Sequence, residues 1–173
     1  INTEREYLKN FDYVYLFDAD IDIVDTVGEE VMKDLVGVLH PWKILEDKSV
    51  YPYEGREKSM AYVPDSDRDK YYAAAFTGGK SKNFLRMAEI ISGRVSEDEE
   101  NGIIAVWHDE SHLNKYFNEY PPVDLSPSYM FPEELMGNKN YPWKPKIVAV
   151  NKDAFDTSFN DEKKQMGQYG NIG

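Results

Sequence analysis

Apolar positions along this chain fall into short runs and short periodic stripes. Tyr13-Val14-Tyr15-Leu16-Phe17 is apolar on both faces and too short for a helix, which predicts a buried central strand ending at Asp18-Ala19-Asp20. Val27, Val31 and Leu35 recur at four-residue spacing behind Asp25-Thr26, a helix-start signal, and predict a short amphipathic helix closed by Gly37. His40-Pro41-Trp42 opens a stretch to Pro64 that mixes charge, tyrosine and proline as surface loops and edge strands do. Tyr71 to Phe76 predicts a second buried strand, broken by Gly78-Gly79, after which Phe84, Leu85, Ala88 and Ile91 form a helical stripe as far as Gly93. The acidic run Glu97-Asp98-Glu99-Glu100 is expected in a solvated loop or at a helix N-terminus. Asn101-Gly102 turns the chain, and Ile103, Val106, Trp107, Leu113 and Phe117 predict a second long helix. Lys146 to Val150 has the pattern of a late strand, and the polar stretch from Asn160 to Gly173 is expected to be disordered. Strands alternating with helices place the chain in the α/β class.

Composition narrows the chemistry. At 173 residues the chain is one domain long, and 20 Lys and Arg against 32 Asp and Glu leave a net charge of −12. That sign argues against non-specific binding to nucleic acid or to an anionic membrane, both of which need clustered cations. The absence of cysteine excludes disulfides, thiolate metal sites and cysteine nucleophiles, so any metal is held by oxygen or imidazole. No apolar run approaches the ~20 residues that span a bilayer. The chain opens at Ile1, and Glu4 to Leu8 has the look of a helix already under way, so a fragment of a longer protein is expected.

Two constellations carry candidate chemistry. Asp18 and Asp20 are separated by one residue at the end of a predicted strand, where ligands of α/β sheets bind, and a hard divalent cation relieves the repulsion between such carboxylates. An acidic turn with no ligand would have the same spacing. A calcium loop fails, because Ile23 stands where that loop needs glycine and a strand precedes the aspartates. The second constellation is Trp107-His108-Asp109-Glu110-Ser111-His112. Glu110 lies three residues from both Trp107 and Leu113, on the apolar seam of its predicted helix, where a carboxylate is costly unless it is paired or functional. His108 and His112 are four apart, but the residue after His108 is Asp109, not the glutamate of a zinc-protease motif. Gly79-Lys80-Ser81 resembles the end of a phosphate-binding loop, yet Ala74 occupies the position of its first glycine.

Asp18-Ala19-Asp20, Leu39-His40-Pro41, Ala61-Tyr62-Val63-Pro64, Gly78-Gly79 and above all Asn101-Gly102-Ile103 with Ala105 to Tyr116 resemble glycosyltransferase family 6, which includes the histo-blood-group A and B transferases. The resemblance runs from about Thr3 to Lys152. It implies a GT-A fold, an α/β architecture with a Rossmann-like mixed sheet flanked by helices, over residues 1–155 and followed by a polar tail. Strands that bind uridine precede this point in the family, so part of the nucleotide-binding half is expected upstream of Ile1.

The activity implied is retaining transfer of galactose or N-acetylgalactosamine from a UDP-sugar to the 3-hydroxyl of a β-galactoside oligosaccharide or glycolipid. Carried over residue by residue, Asp18 and Asp20 match the motif that holds Mn²⁺ against the diphosphate, with Asp18 also a donor contact. Glu110 matches the carboxylate beneath the transferred sugar, as nucleophile or as electrostatic stabiliser, and Asp109 a hydrogen-bond partner of that sugar. His40, Trp107 and His108 match acceptor contacts, and Lys152 a basic residue that closes over the diphosphate. Ala73-Ala74-Ala75 falls on the tripeptide whose bulk sets donor choice; Ala74-Ala75 resembles the galactose-specific members, while small Ala73 leaves room for an acetamide. The chain departs from the animal pattern at Pro52 and Pro132, which replace an acceptor-contacting threonine and aspartate. Animal members are anchored in the Golgi membrane and microbial ones are soluble, so a cytoplasmic location is expected for a microbial protein. The alternative is a non-catalytic, carbohydrate-binding relic of the same fold.

Overall fold

A computed structural model describes residues 1–151, and within them the chain forms two sheets and three helices. In chain order these are α1 (Arg5–Leu8), β1 (Tyr13–Phe17), β2 (Ile21–Ile23), β3 (Leu35–Leu39), β4 (Tyr72–Lys80), α2 (Ser81–Glu100), α3 (His108–Glu119), β5 (Val123–Leu125), β6 (Phe131–Pro132) and β7 (Ile147–Ala149). The larger sheet has the order β1-β4-β3-β5, with β4 antiparallel to both of its neighbours and β5 parallel to β3. The smaller sheet has the order β2-β7-β6, again with one antiparallel and one parallel pairing. The α/β class and the mixed sheet agree with expectation. Helices cover one face of the larger sheet only, however, and residues of β7 and its neighbours cover the other.

Side-chain alternation along β3 explains this layering. Leu35 and Leu39 face the helices and pack with Tyr72, Phe84, Leu85, Leu113 and Phe117, whereas Val36 and Val38 point the opposite way into a cluster with Phe76, Leu125, Tyr129 and Ile147. Gly37 completes the helix-facing row. A Cβ there would stand 2.8 Å from Phe117 and 2.9 Å from Tyr72, so the missing side chain is the space those two rings occupy.

Several expectations need correction. The stretch from Val27 to Gly37 is not a helix: Val31 closes a single 3-10 turn, Glu29–Val31, and Leu35 begins a strand. The strand β1 is an edge strand rather than a central one, and its Leu16 and Phe17 are exposed. β4 is not broken at Gly78-Gly79 but continues to Lys80; Gly78 lets it pass against β1, and Gly79, at φ 149, lets it pass the Asp34 backbone. The acidic run forms the last turn of α2, which passes through Gly93 to Glu100, and Asp98 is buried there. The helix expected from Ile103 begins only at His108. After Gly102 at φ 69, the Ile103 N–H returns to the Asp98 carbonyl at 2.7 Å and ends the preceding helix. The late strand is found as β7. The stretch from Asn160 to Gly173, and Lys152, lie outside the described residues. Among the described residues no helix is long and apolar enough to cross a membrane.

Two glycines give opposite expectations for alanine. At Gly78 a Cβ would fall 2.5 Å from the Val14 carbonyl oxygen and 2.4 Å from the Tyr15 ring, so Gly78→Ala is expected to destabilise by about 3 kcal/mol. At Gly93, inside α2 with open space around it, Gly93→Ala is expected to stabilise by about 0.5–1 kcal/mol. Urea unfolding of both variants checks the two signs.

Candidate active site

Beyond Phe17, where β1 ends, the outer edge of β4 loses its strand partner. Three groups take over the exposed backbone. The Asp18 N–H donates to the Ala75 carbonyl at 2.9 Å, the Ala74 N–H donates to Glu110 Oε2 at 3.0 Å, and Asn114 pairs with both backbone groups of Tyr72. In that last pair Asn114 Oδ1 accepts from the Tyr72 N–H and Nδ2 donates to the Tyr72 carbonyl, each at 2.8 Å. Nδ2 also reaches the Glu110 carbonyl at 2.9 Å. A helix advances ~6 Å over four residues and a strand ~6.6 Å over two, so Glu110 and Asn114 match Ala74 and Tyr72 in spacing. This register brings Asp18 and Glu110 to adjacent positions on one edge.

Glu110 is half-buried, and its carboxyl is held above the ordinary glutamate range. Burial is the main cause; the negative charges of Asp109 and Asp18 act in the same direction, and the Ala74 N–H and Tyr71 hydroxyl oppose them. The buried Tyr71 hydroxyl is pushed up in turn, first by burial and then by the charge of Glu110. Behind Tyr71 stands His40, with ring centroids 5.7 Å apart, and Trp42 lies 5.6 Å beyond His40. Burial pushes the His40 imidazole down to about 4, so it is neutral at physiological pH. Its Nδ1 is buried and has no hydrogen-bond partner among the described residues, the condition of a group whose partner is a ligand or a water.

At the start of α3, Trp107 and His108 are both exposed. His108 has φ 48, and no other non-glycine residue among those described has a positive φ. Such a conformation costs about 1–3 kcal/mol and persists where its surroundings over-determine it. His108 opens onto a groove of about 780 Å³ that Tyr53, Arg56 and Val106 also line. Asp109 and Ala74 instead border a separate, largely apolar cavity of about 400 Å³, with Leu16, Thr77 and Phe84. Of the three alanines only Ala74 is partly exposed; Ala73 and Ala75 are buried.

Glu110, the Asp18 backbone and Ala74 thus meet at the β4 edge, with His40 behind Tyr71, whereas His108 opens onto the other groove; Lys152 lies outside the described residues. Asp20 also contributes its carbonyl, which accepts from the Val150 N–H at 2.9 Å and ties the acidic turn to β7. No cluster of three or more histidine, aspartate or glutamate side chains suited to a metal occurs among the described residues. Two aspartates are nonetheless a fitting donor set for a cation that keeps waters and shares its coordination with a substrate diphosphate, as ions of the magnesium class do. Sequence reasoning missed Tyr71 and Asn114; the four-residue interval from Glu110 to Asn114 was the available signal for the latter. His112 is buried, its Nε2 3.5 Å from Asp98 Oδ2, whereas His108 is exposed.

A family model described as "Glycosyltransferase family 6" matches residues 2–157. The chain is 38% identical over 152 residues to the rat (Rattus norvegicus) "Histo-blood group ABO system transferase 1", covering 87% of this chain and 44% of that protein. It is 32% identical over 159 residues to the chicken (Gallus gallus) "Globoside alpha-1,3-N-acetylgalactosaminyltransferase 1", covering 91% and 44%. It is 33% identical over 167 residues to the Escherichia coli "O-antigen biosynthesis glycosyltransferase WbnI", covering 95% and 65%. The chain thus spans under half the length of these two animal relatives and 65% of the bacterial one.

The Asn114 pairing is testable on its own. Asn114→Ala leaves a buried N–H and a buried carbonyl of Tyr72 without partners and is expected to cost about 2–5 kcal/mol. Asn114→Asp keeps the acceptor but sets a buried carboxylate against the Tyr72 and Glu110 carbonyls, and should be at least as destabilised as Asn114→Ala in chemical denaturation at neutral pH.

Proposed function

Because the chain belongs to glycosyltransferase family 6, we propose that it carries the reacting carboxylate and the diphosphate-binding aspartates of a retaining hexosyltransferase with a GT-A fold. The reaction is transfer of galactose or N-acetylgalactosamine from a UDP-sugar to the 3-hydroxyl of a β-galactoside. The observation that carries this reading is the anchoring of Glu110 on the same β4 edge that takes the Asp18 backbone. A carboxylate fixed there has one oxygen committed to the Ala74 N–H and cannot swing away as charge develops on a sugar.

In this reading Glu110 is ionised and faces the anomeric carbon as its bond to UDP breaks, either bonding to that carbon or stabilising its positive charge. Asp109, at the rim of the cavity that Ala74 borders, binds the donor sugar's hydroxyls. Trp107, His108 and neutral His40 line the acceptor side; the unpaired Nδ1 of His40 supports a polar contact with a hydroxyl. Asp18 and Asp20 would hold a divalent cation of the manganese class together with diphosphate oxygens. When bound, that ion supplies Lewis-acid stabilisation of the leaving UDP. Lys152, beyond the described residues, would close over the same diphosphate.

The test uses the full-length protein with Mn²⁺, either UDP-sugar and a lactose-type acceptor. Transfer is expected, with Glu110→Gln reduced at least ~100-fold. Burial raises the Glu110 pKa, so the rate should fall with decreasing pH through a value above the ordinary 4.5. Absence of transfer and of UDP release with both donors, or full activity in Glu110→Gln, overturns the proposal. Binding of a β-galactoside without Mn²⁺-dependent affinity for UDP would instead indicate a non-catalytic carbohydrate-binding protein.

A further inference from the structure

The segment between α2 and α3 is gripped from outside by two residues that the site above does not use. Glu54 is 2% exposed, and its carboxylate accepts from the Val106 N–H at 2.9 Å and from Arg56 at its backbone N–H (2.8 Å), Nε (2.9 Å) and Nη2 (2.6 Å). Arg56 Nη2 donates onward to the Ile104 carbonyl at 2.6 Å. The pair therefore holds the backbone at two alternate residues, 104 and 106, immediately before Trp107 and His108. The next links are internal: the His108 N–H donates to the Ala105 carbonyl at 3.0 Å, and the Trp107 N–H to Ser111 Oγ at 3.0 Å. At the end of this chain of contacts His108 sits at φ 48.

We propose that Glu54, through Arg56 and the backbone of residues 104–106, is a positioning residue that holds His108 in its left-handed conformation and so presents Trp107 and His108 to the acceptor. The inference rests on the reading of those two residues as acceptor contacts. A buried carboxylate is seldom retained unless its partners are fixed. Here the partners are one guanidinium and two backbone N–H groups, those of Arg56 and of Val106 in the strained turn, and the guanidinium keeps Glu54 ionised, with its pKa lowered to about 2. The clamp makes no bond to the β4 edge, where Asp18 and Glu110 meet. Its loss should therefore separate acceptor behaviour from donor behaviour, which a general loss of folding would not do.

The full-length protein is compared with Glu54→Gln, Glu54→Asp and Arg56→Lys. The first readout is the backbone NMR chemical shifts of His108, which report its φ independently of any activity. The second is steady-state kinetics, with KM for acceptor and donor measured separately and UDP-sugar hydrolysis measured without acceptor. Glu54→Gln is expected to move His108 out of the left-handed region and to raise acceptor KM up to ~100-fold. Donor KM and hydrolysis should stay at the parent level, and Glu54→Asp should recover part of the loss. Should Glu54→Gln fail to fold, Arg56→Lys, which weakens the hold on Ile104 and keeps a cation beside Glu54, is expected to give the same separation in milder form. Unchanged His108 shifts, or acceptor and donor parameters falling together, would overturn the proposal. A parent protein that shows no transfer defeats the proposed function, while the His108 shifts still decide whether Glu54 holds the turn.

Discussion

The architecture of this site follows from an unfinished strand edge. β1 stops pairing with β4 at Phe17 and Phe76, while β4 continues back to Tyr72, so a stretch of buried backbone is left needing hydrogen bonds. Buried peptide groups are satisfied almost without exception. The molecule meets that requirement with side chains from α3 in place of a fifth strand. Tyr72 presents both a donor and an acceptor, and a carboxamide matches both. Ala74 presents an N–H, and an acceptor-only group satisfies it. A carboxylate at that position is thus a structural partner of the sheet as well as a charged group of the site.

The same constraint sets the electrostatics. Docking α3 against the β4 edge brings Glu110 into the field of Asp18 and partly removes it from water, and both effects, with the charge of neighbouring Asp109, disfavour its own charge. The Ala74 N–H and the Tyr71 hydroxyl oppose them only in part. A net charge of −12 on a small domain is therefore uneven in its consequences: most acidic side chains face solvent, while this group of carboxylates concentrates potential where a cation and an electron-poor sugar carbon would offset it. His40 makes a neutral counterpart, its imidazole uncharged through burial behind Tyr71.

Much of this was legible in the sequence, and the failures have physical causes. Asp18 and Asp20 at a strand end and Glu110 on an apolar seam stood out because each violates the expected pattern of its element. β3 was hidden because Leu35 extends an accidental four-residue period from Val27 and because Gly37 resembles a helix stop. Its true period is two, with a glycine where Phe117 and Tyr72 leave no space. Asp98 was hidden within a run of four acids, three of them exposed, although it alone turns inward to accept from Ser59 Oγ and the Met60 N–H. Asn114 is marked only by its four-residue interval from Glu110, and Glu54 by no periodic signal, since their roles depend on contacts to backbone tens of residues away.

Native-state hydrogen exchange of individual amides tests the central claim most directly. The N–H groups of Tyr72 and Ala74 should be protected in the parent protein to a degree comparable with amides inside the β1-β4-β3 ladder. Replacing Glu110 with alanine should release Ala74 while leaving the ladder amides protected. Rapid exchange at Tyr72 and Ala74 in the parent, or undiminished protection of Ala74 in Glu110→Ala, would contradict the account of α3 as the surrogate partner of the sheet edge.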